Sequence, residues 1–236
     1  MPDITLHDTR CGEGPPLLLL HGNGEDGGYF AQQTAYFSKK YTVYALDTRG
    51  HGKSPRGTAP FTIRQFAADL LGFMDAQAIG RADILGFSDG GNIALSFALA
   101  HPERVGRLIL NGANLDPSGV KGAVQLPIVL GYWMASRFAK HSPRARRNAE
   151  LLGLMVNEPH IPPEALRSLH VPTLVIVGTR DMIRASHSRL IARSLPDSRL
   201  VTLAGDHFIA AKRPGDFNRA VEAFLDDTLV KESGSI

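Results

Sequence analysis

The chain has 236 residues, of which 43% are hydrophobic and 21% charged, a composition typical of one globular domain with a sizeable core. Its single cysteine, Cys11, excludes an internal disulfide and any metal site built from several cysteines. The formal net charge of +3 is too small to indicate nucleic-acid binding without an arranged basic patch. Because the sequence shows no signal peptide and no apolar run of the ~20 residues that span a bilayer, we expect a cytoplasmic protein without a membrane partner.

Strand and helix patterns alternate along the first half of the chain. The expected order is strand 4–8, strand 16–20, helix 30–40, strand 41–46, a helix capped by Thr62, strand 82–87, helix 92–100 and strand 105–110. The run Leu17 to Leu20 is apolar without alternation, as in a strand that is covered on both faces. This order favours an α/β fold, in which helices cover both faces of a mostly parallel sheet.

The alternation stops after residue 113 and resumes near residue 166. Helices are expected over 120–140 and 146–156, followed by strand 172–178, helix 185–195, strand 199–203, helix 216–229 and a fraying tail at 231–236. We therefore predict a core domain formed by 1–113 and 166–236, with 114–165 inserted as a small helical lid. Simple packing of these helices against the core is the alternative.

The predicted lid carries many apolar side chains and few uncharged hydrogen-bonding groups. We expect it to roof an apolar pocket, with Trp133 and Phe138 in contact with substrate. The other apolar side chains considered for this roof are Leu126, Ile128, Val129, Tyr132 and Met134. The same segment holds a basic cluster, which we interpret as a solvated helix face, with anion steering as the alternative: Arg137, Lys140, Arg144, Arg146 and Arg147.

A serine flanked by glycines stands where a strand pattern changes into a helix pattern. In Gly86-Phe87-Ser88-Asp89-Gly90, the G-x-S-x-G spacing is that of a nucleophile elbow, whose central residue projects from a sharp turn. The backbone N–H of Asp89 would then point toward an anion that forms near Ser88. The motif is short and also fits an ordinary turn, so it needs partners elsewhere in the chain.

Ser88, Asp181 and His207 each follow a predicted parallel strand, so all three should meet at the carboxyl edge of the sheet. A serine hydroxyl needs a base to accept its proton, and an imidazole needs a carboxylate to fix its tautomer. The chain order serine, acid, histidine is the order expected around this elbow. Asp206 and Asp116 are weaker candidates for the acid.

The loop after the first buried strand supports a different interpretation. Gly22, Gly24 and Gly27 have the spacing of a dinucleotide-binding loop, and Asp47 lies where a ribose-binding acid would be expected. Against it, the predicted helix starts too late to bind a pyrophosphate at its N-terminus. His21 and His51 lie in nearby loops, where structural hydrogen bonding is more common than catalysis.

Taken together, these motifs resemble the α/β-hydrolase superfamily over residues 4–229. The matching stretches are His21-Gly22-Asn23-Gly24, Asp47 to Ser54, Gly86 to Gly91, Gly178-Thr179-Arg180-Asp181 and Gly205-Asp206-His207. The resemblance implies that Ser88 is the nucleophile, His207 the general base and acid, and Asp181 the acid that orients it. It also implies an oxyanion hole formed by the backbone N–H groups of Asn23 and Asp89.

The resemblance further implies that Gly22 and Gly24 let the backbone approach a substrate, and that Asp47 is structural. The expected function is hydrolysis of a small-molecule carboxylic ester through an acyl-enzyme, with no cofactor, no metal and no nucleic-acid partner. Lactonases, carbon–carbon bond hydrolases and cofactor-free haloperoxidase-like enzymes of this superfamily use the same residues. A non-catalytic ligand receptor on this fold is the alternative from another class.

Overall fold

The structure of the protein, a computed structural model, describes residues 3–233, with side chains to residue 226. Its single sheet has seven strands in the order β1-β3-β2-β4-β5-β6-β7. The strands are β1 (Asp8–Cys11), β2 (Pro16–Leu20), β3 (Thr42–Leu46), β4 (Ala82–Phe87), β5 (Val105–Asn111), β6 (Thr173–Gly178) and β7 (Ser198–Leu203). The helices are α1 (Ala31–Phe37), α2 (Ile63–Ala76), α3 (Asp89–Ala100), α4 (Gly122–Phe138), α5 (Pro143–Asn157), α6 (Ala185–Ser194), α7 (Ile209–Lys212) and α8 (Pro214–Ser233).

The strand order explains where a site can form. β1 pairs with β3 in antiparallel fashion, and every other neighbouring pair is parallel. From β2 the chain moves outward to β3, then returns to the other side of β2 as β4. The loops that follow β2 and β4 therefore diverge at this reversal, which is where open α/β sheets bind ligands.

Both faces of the sheet are buried, as the uninterrupted apolar strands predict. Leu18 and Leu20 of β2 face one hydrophobic cluster, together with residues of α2, α3 and α6. Leu17 and Leu19 face the other, together with residues of α1 and α8. Each fully buried leucine contributes about 1.5–3 kcal/mol. The predicted α/β fold, with helices on both faces of a mostly parallel sheet, is confirmed.

The edge strand differs from its prediction. It was expected over 4–8, but it begins at Asp8 and continues through Arg10 and Cys11, which pair with Tyr44 and Val43 of β3. The expected turn lies just beyond, because Gly12 and Gly14 adopt φ values of +83° and +129°. The apolar residues at the start of the chain instead serve the core, since Leu6 is buried without a strand partner.

At the end of the chain the last helix is longer than predicted. Of the tail expected to fray, residues 231–233 continue α8, whereas 234–236 lie outside the described residues. A short helix, α7, follows His207 and was not predicted. No helix in residues 3–233 combines the length and apolar character needed to cross a membrane.

The predicted lid contains the two expected helices, α4 and α5, which we call the cap hairpin. The helices pack closely where α4 presents a glycine, since a Cβ on Gly131 would lie 3.3 Å from Leu152. Leu154 of α5 is buried, but no residue of α4 is. The cap hairpin is therefore anchored through α5, and α4 lies on the outside.

Candidate active site

Ser88 occupies a sharp turn between β4 and α3. Its φ of +53° and ψ of −121° place a non-glycine residue in a backbone region that costs on the order of 1–3 kcal/mol. Gly86 and Gly90 make the turn possible. A Cβ on Gly90 would collide with the carbonyl oxygen of Leu20, and one on Gly86 would collide with the carbonyl of Gly90. Both glycines of the motif are thus required by close packing of the backbone.

The structure brings Ser88, His207 and Asp181 into one chain of hydrogen bonds. The Ser88 hydroxyl lies 3.0 Å from Nε2 of His207, and Nδ1 of the same ring lies 2.7 Å from Asp181 Oδ1. Asp181 and His207 are buried, with 3% and 4% of their surface exposed. The carboxylate also accepts the backbone N–H groups of Ile183 at 2.9 Å and Gly178 at 3.4 Å. These bonds hold Asp181 in position to orient the imidazole.

The two other acid candidates are engaged elsewhere. Asp116 accepts the backbone N–H of Ser118 at 2.8 Å and caps a single helical turn over Pro117–Gly119. Asp206 pairs with Lys212 at 2.5 Å on the surface. Within residues 3–233, neither carboxylate makes a hydrogen bond with His207. The geometry therefore favours Asp181.

Asn23 and Asp89 follow the neighbouring strands β2 and β4. In the described part of the chain, the backbone N–H of neither residue donates to another protein group. The N–H of Asp89 opens α3, where the helix dipole favours a negative charge. Both N–H groups are therefore candidate donors to an oxyanion.

A side-chain network that was not predicted ties these two residues together. Asn23 Nδ2 donates to Asp89 Oδ2 at 2.9 Å and to the carbonyl of Leu151 in α5 at 2.7 Å. Asn92 Nδ2 donates to the other Asp89 oxygen at 3.3 Å and to Asn114 at 3.0 Å. Burial raises the pKa of Asp89 to about 6, although the Asn23 amide opposes this shift. Asn92 lies only three residues after Asp89, but Asn23 lies 66 positions before it, so the network becomes visible only in the folded structure.

Glu25 is an ionisable group that the sequence did not single out. Its Oε2 accepts the backbone N–H of Gly22 at 3.1 Å, in the loop that carries Asn23. Burial raises the pKa of Glu25 to about 7, while the Gly22 N–H and the nearby His207 act in the opposite direction. A carboxyl group thus lies within electrostatic reach of His207.

The histidines near the site have structural partners. His21 Nδ1 donates to the carbonyl of Gly22 at 2.7 Å, and its Nε2 accepts the N–H of Thr48 at 3.0 Å. His51 Nδ1 lies 3.0 Å from the carbonyl of Arg49. Burial lowers the pKa of His21, and it lowers that of His51 to about 4. Both rings are therefore neutral near pH 7.

The carboxylate of Asp47 binds backbone N–H groups of the protein. Its two oxygens accept the backbone N–H groups of Gly27 and Lys53, both at 2.8 Å. The first regular helix after the glycine loop starts only at Ala31. This arrangement leaves neither oxygen free for a ribose, and the dinucleotide interpretation of Gly22, Gly24 and Gly27 is not supported by the fold of this loop.

Gly112, at the end of β5, is a further position that sequence reasoning missed. Its φ is +65°, and a Cβ there would lie 2.6 Å from Cε1 and 2.9 Å from Nδ1 of His207. The backbone of Gly112 therefore packs against the imidazole of His207, and no side chain fits between them. In the sequence, the Asn111-Gly112 dipeptide after a predicted strand indicates a turn, but it does not indicate contact with His207.

Aromatic rings flank the imidazole of His207. Its ring centroid lies 4.8 Å from that of Phe87 and 5.6 Å from that of Phe208. Tyr29 stacks on Phe87 at 4.4 Å with an interplanar angle of 4°. Phe208 remains 41% exposed, so an apolar surface is open to a ligand beside the triad.

The expected apolar roof is not closed. Trp133 and Phe138 remain 68% and 59% exposed, and Phe138 lines a cavity of about 410 Å³ between α4 and α5 that includes no residue of the triad. The cap hairpin reaches the candidate site through the carbonyl of Leu151, which accepts a hydrogen bond from Asn23. Contact of Trp133 and Phe138 with a substrate therefore stays a prediction. Because α4 is apolar around most of its circumference, its sequence does not show which side faces the core.

Gly22 and Gly24 differ in their surroundings. A Cβ on Gly22 would lie 3.0 Å from the ring of Phe87 and 3.1 Å from Glu25, whereas nothing lies within 4 Å of one on Gly24. Gly24 instead needs its φ of +76°.

Within residues 3–233, no three His, Cys, Asp or Glu side chains are grouped to hold a metal ion.

Comparison with known proteins identifies the family of this fold. The family model of the alpha/beta hydrolase fold matches residues 15–148. The 3-oxoadipate enol-lactonase 2 of Acinetobacter baylyi is 27% identical over 251 residues, covering 94% of each chain. The crystal structure of the enol-lactonase from Burkholderia xenovorans superposes with a TM-score of 0.80 at 26% identity, covering 94% of this chain and 97% of that one.

A meta-cleavage product hydrolase from Pseudomonas fluorescens is also similar, at 25% identity with a TM-score of 0.77 and 95% coverage of both chains. These likenesses extend over nearly the whole chain, including the segment that holds α4 and α5. On its fold, its strand order and the match of its sequence, the protein is a hydrolase and belongs to the alpha/beta hydrolase family.

Proposed function

We propose that the protein is a serine hydrolase that cleaves carboxylic esters with small to medium, mainly apolar acyl groups through an acyl-enzyme on Ser88. The observation that carries this proposal is the chain of hydrogen bonds from Ser88 through His207 to Asp181. In this arrangement a buried carboxylate orients an imidazole, and the imidazole contacts the hydroxyl of a half-buried serine. Such a chain of groups makes serine a nucleophile.

In the first half of the proposed reaction, Ser88 Oγ attacks the ester carbonyl while His207 Nε2 accepts its proton. Negative charge develops on the former carbonyl oxygen, and the N–H groups of Asn23 and Asp89 donate to it. His207 then gives its proton to the departing alcohol, which leaves an acyl group on Ser88.

In the second half, water attacks the acyl-enzyme and His207 accepts a proton from it. The second tetrahedral intermediate uses the same two backbone donors, and its collapse releases the acid and returns the proton to Ser88. Asp181 bonds to Nδ1 of His207 and stabilises the imidazolium that forms twice in each cycle.

The surroundings of His207 support a neutral, mainly apolar substrate. Phe87 and the exposed ring of Phe208 provide apolar surface next to the imidazole. Each methylene buried on such a surface contributes about 0.8 kcal/mol. Glu25, when ionised, repels a substrate carboxylate that approaches the same histidine.

Lactone hydrolysis is the second candidate, because a lactone is a cyclic ester and two similar proteins are named enol-lactonases. The same attack on a lactone opens its ring, so that the leaving alcohol remains attached to the acyl group.

We further propose that residues 114–165 form a lid on a core of 1–113 and 166–236, since α5 contacts Asn23 directly.

Two experiments test the proposal. A fluorophosphonate probe should add one label to the wild type and to Ser186→Ala, an exposed control, but none to Ser88→Ala. Aryl acetate, butyrate, octanoate and palmitate esters, γ- and δ-lactones and an anilide should then be assayed in parallel. We expect the highest kcat/KM on a short or medium neutral ester or lactone. Labelling that persists in Ser88→Ala, or activity confined to palmitate or to charged substrates, would overturn it.

A further inference from the structure

The outer face of α4 is apolar and uncovered. Its exposed side chains recur every three or four residues and so share one side of the helix: Leu126 (62%), Val129 (37%), Leu130 (57%), Trp133 (68%), Met134 (58%) and Phe138 (59%). They make up six of the nine large hydrophobic side chains that are exposed in the part of the chain the structure describes. Apolar patches of this kind mark interaction surfaces rather than ordinary solvent-facing helices.

Cations lie within and beside this face. Arg137 falls on the same side of the helix as Leu126 and Leu130, because 137 is seven residues after 130 and eleven after 126. Arg144, at the start of α5, lines the same cavity as Met134 and Phe138. Lys140 is exposed in the short connection between the two helices.

These charges have no local compensation. Within residues 3–233, Arg137, Lys140 and Arg144 take part in no ion pair, in contrast to Arg56, which pairs with Glu150. No Asp or Glu occurs between positions 117 and 149 of the sequence. The face therefore combines exposed apolar side chains with a local positive charge, although the whole chain carries only +3.

The charge selects among possible occupants of this face. A second copy docked through the same face would bring two sets of unpaired cations together with no acid between them. An uncharged apolar partner would leave the cations unmatched. An anionic bilayer surface satisfies both features, since its headgroups pair with Arg and Lys while Trp, Phe and Leu enter the region between headgroups and acyl chains.

We propose that the outer face of α4, together with Arg137, Lys140 and Arg144, docks the protein on the surface of an anionic phospholipid bilayer. The helix lies in the interface and does not cross it. The expectation of no membrane partner depended on the lack of a spanning segment, and docking of this kind needs none. The inference is independent of the reaction proposed for Ser88.

The single tryptophan makes the test direct, because Trp133 alone reports on the proposed contact by fluorescence. The full chain should be titrated at low salt with vesicles of phosphatidylcholine alone and with vesicles containing 30% phosphatidylglycerol. We expect a blue shift of Trp133 emission and cosedimentation with the anionic vesicles only, with binding weakened at least tenfold at 0.5 M salt.

Paired variants separate charge from apolar contact. Arg137→Glu with Arg144→Glu, and Leu130→Ser with Phe138→Ser, should each weaken cosedimentation at least tenfold. Arg64→Glu and Leu190→Ser, which change exposed residues outside the cap hairpin, should bind like the wild type. Circular dichroism should show every variant folded, because none of the altered side chains is buried.

Three outcomes would overturn the proposal. The first is failure of the wild type to bind anionic vesicles. The second is equal binding to phosphatidylcholine vesicles, which would remove the role of charge. The third is a dimer in solution that Leu130→Ser with Phe138→Ser abolishes, without vesicle binding by the wild type, which would assign the face to a second copy.

Discussion

The side chain of Asn23 donates a hydrogen bond to the carboxylate of Asp89 at 2.9 Å, so the two residues whose backbone N–H groups form the candidate oxyanion hole are linked directly. Asn23 follows β2 and Asp89 follows β4, which are neighbours in the sheet. The same amide reaches the carbonyl of Leu151, so the cap hairpin is joined to this pair. The candidate oxyanion hole is therefore held together by side chains as well as by the strands beneath it.

We predict that Asn23→Ala lowers kcat by about 10- to 100-fold while changing KM little. The variant retains its backbone N–H, but it loses both bonds that fix the loop, and a mispositioned oxyanion donor costs up to about 10³-fold in kcat. Steady-state kinetics on the best ester should be compared with Asn157→Ala, at an exposed asparagine of α5. An Asn23→Ala enzyme with wild-type kcat would show that the side-chain link does not position the donor.

Ser88→Ala should abolish ester hydrolysis and leave the fold intact. The change deletes the attacking oxygen at a half-buried position, so we expect a loss of about 10⁴-fold or more in kcat. Circular dichroism checks the fold, and activity is measured on the same preparation. A variant that retains a tenth of wild-type turnover would remove Ser88 from the mechanism.

The acid can be assigned by comparing three variants. Asp181→Asn should lower kcat by about 10⁴-fold near pH 7, because an amide at this position favours the wrong imidazole tautomer. Asp206→Asn and Asp116→Asn should have mild effects, since these carboxylates bind Lys212 and the Ser118 N–H instead. A severe loss at Asp116 with a mild one at Asp181 would move the acid to the loop after β5.

Gly112→Ala should impair catalysis more than its effect on stability explains. A Cβ at this position would approach His207 to 2.6 Å and displace the imidazole from Asp181, in addition to the backbone strain of a φ of +65°. We expect kcat to fall at least 100-fold at a temperature where the variant is folded. Gly80→Ala, with nothing within 4 Å of the new Cβ, is the control. Equal activity of Gly112→Ala and the wild type would show that packing of His207 against Gly112 does not position the imidazole.

The parts of the site that the sequence predicts are those set by the ends of strands. Ser88, Asp181 and His207 each follow a parallel strand, so their meeting at one edge follows from the fold, and the structure places them in hydrogen-bonding contact. Gly86 and Gly90 were expected for the same local reason, a strand that turns at once into a helix.

The remaining features depend on contacts between residues far apart in the chain. Asn23 and Leu151 are separated by 128 positions, and no local pattern marks either as a partner of the other. The partial burial of Glu25, whose carboxylate accepts the Gly22 N–H, results from the path of the glycine loop. The exposed face of α4 was unpredictable, because an apolar helix does not show from its sequence which side will meet the core.

The last prediction concerns Glu25 and the stability of the fold between pH 4.5 and pH 7. Burial raises its pKa from 4.5 to about 7, so over this interval the folded protein binds a proton that the unfolded chain has released. The contribution to stability is fully present below pH 4.5 and is lost as the pH rises to about 7. Glu25→Gln keeps an acceptor for the Gly22 N–H but has no charge to bury, so its free energy of unfolding should exceed that of the wild type increasingly as the pH rises. We expect the difference to grow by on the order of 2 kcal/mol across the interval.

Urea unfolding at pH 4.5, 6 and 7.5 measures this difference for Glu25→Gln. The control variant Glu13→Gln, at an exposed position, should show the same pH dependence as the wild type. A constant difference between Glu25→Gln and the wild type would mean that Glu25 is ionised throughout this range and that partial burial does not raise its pKa.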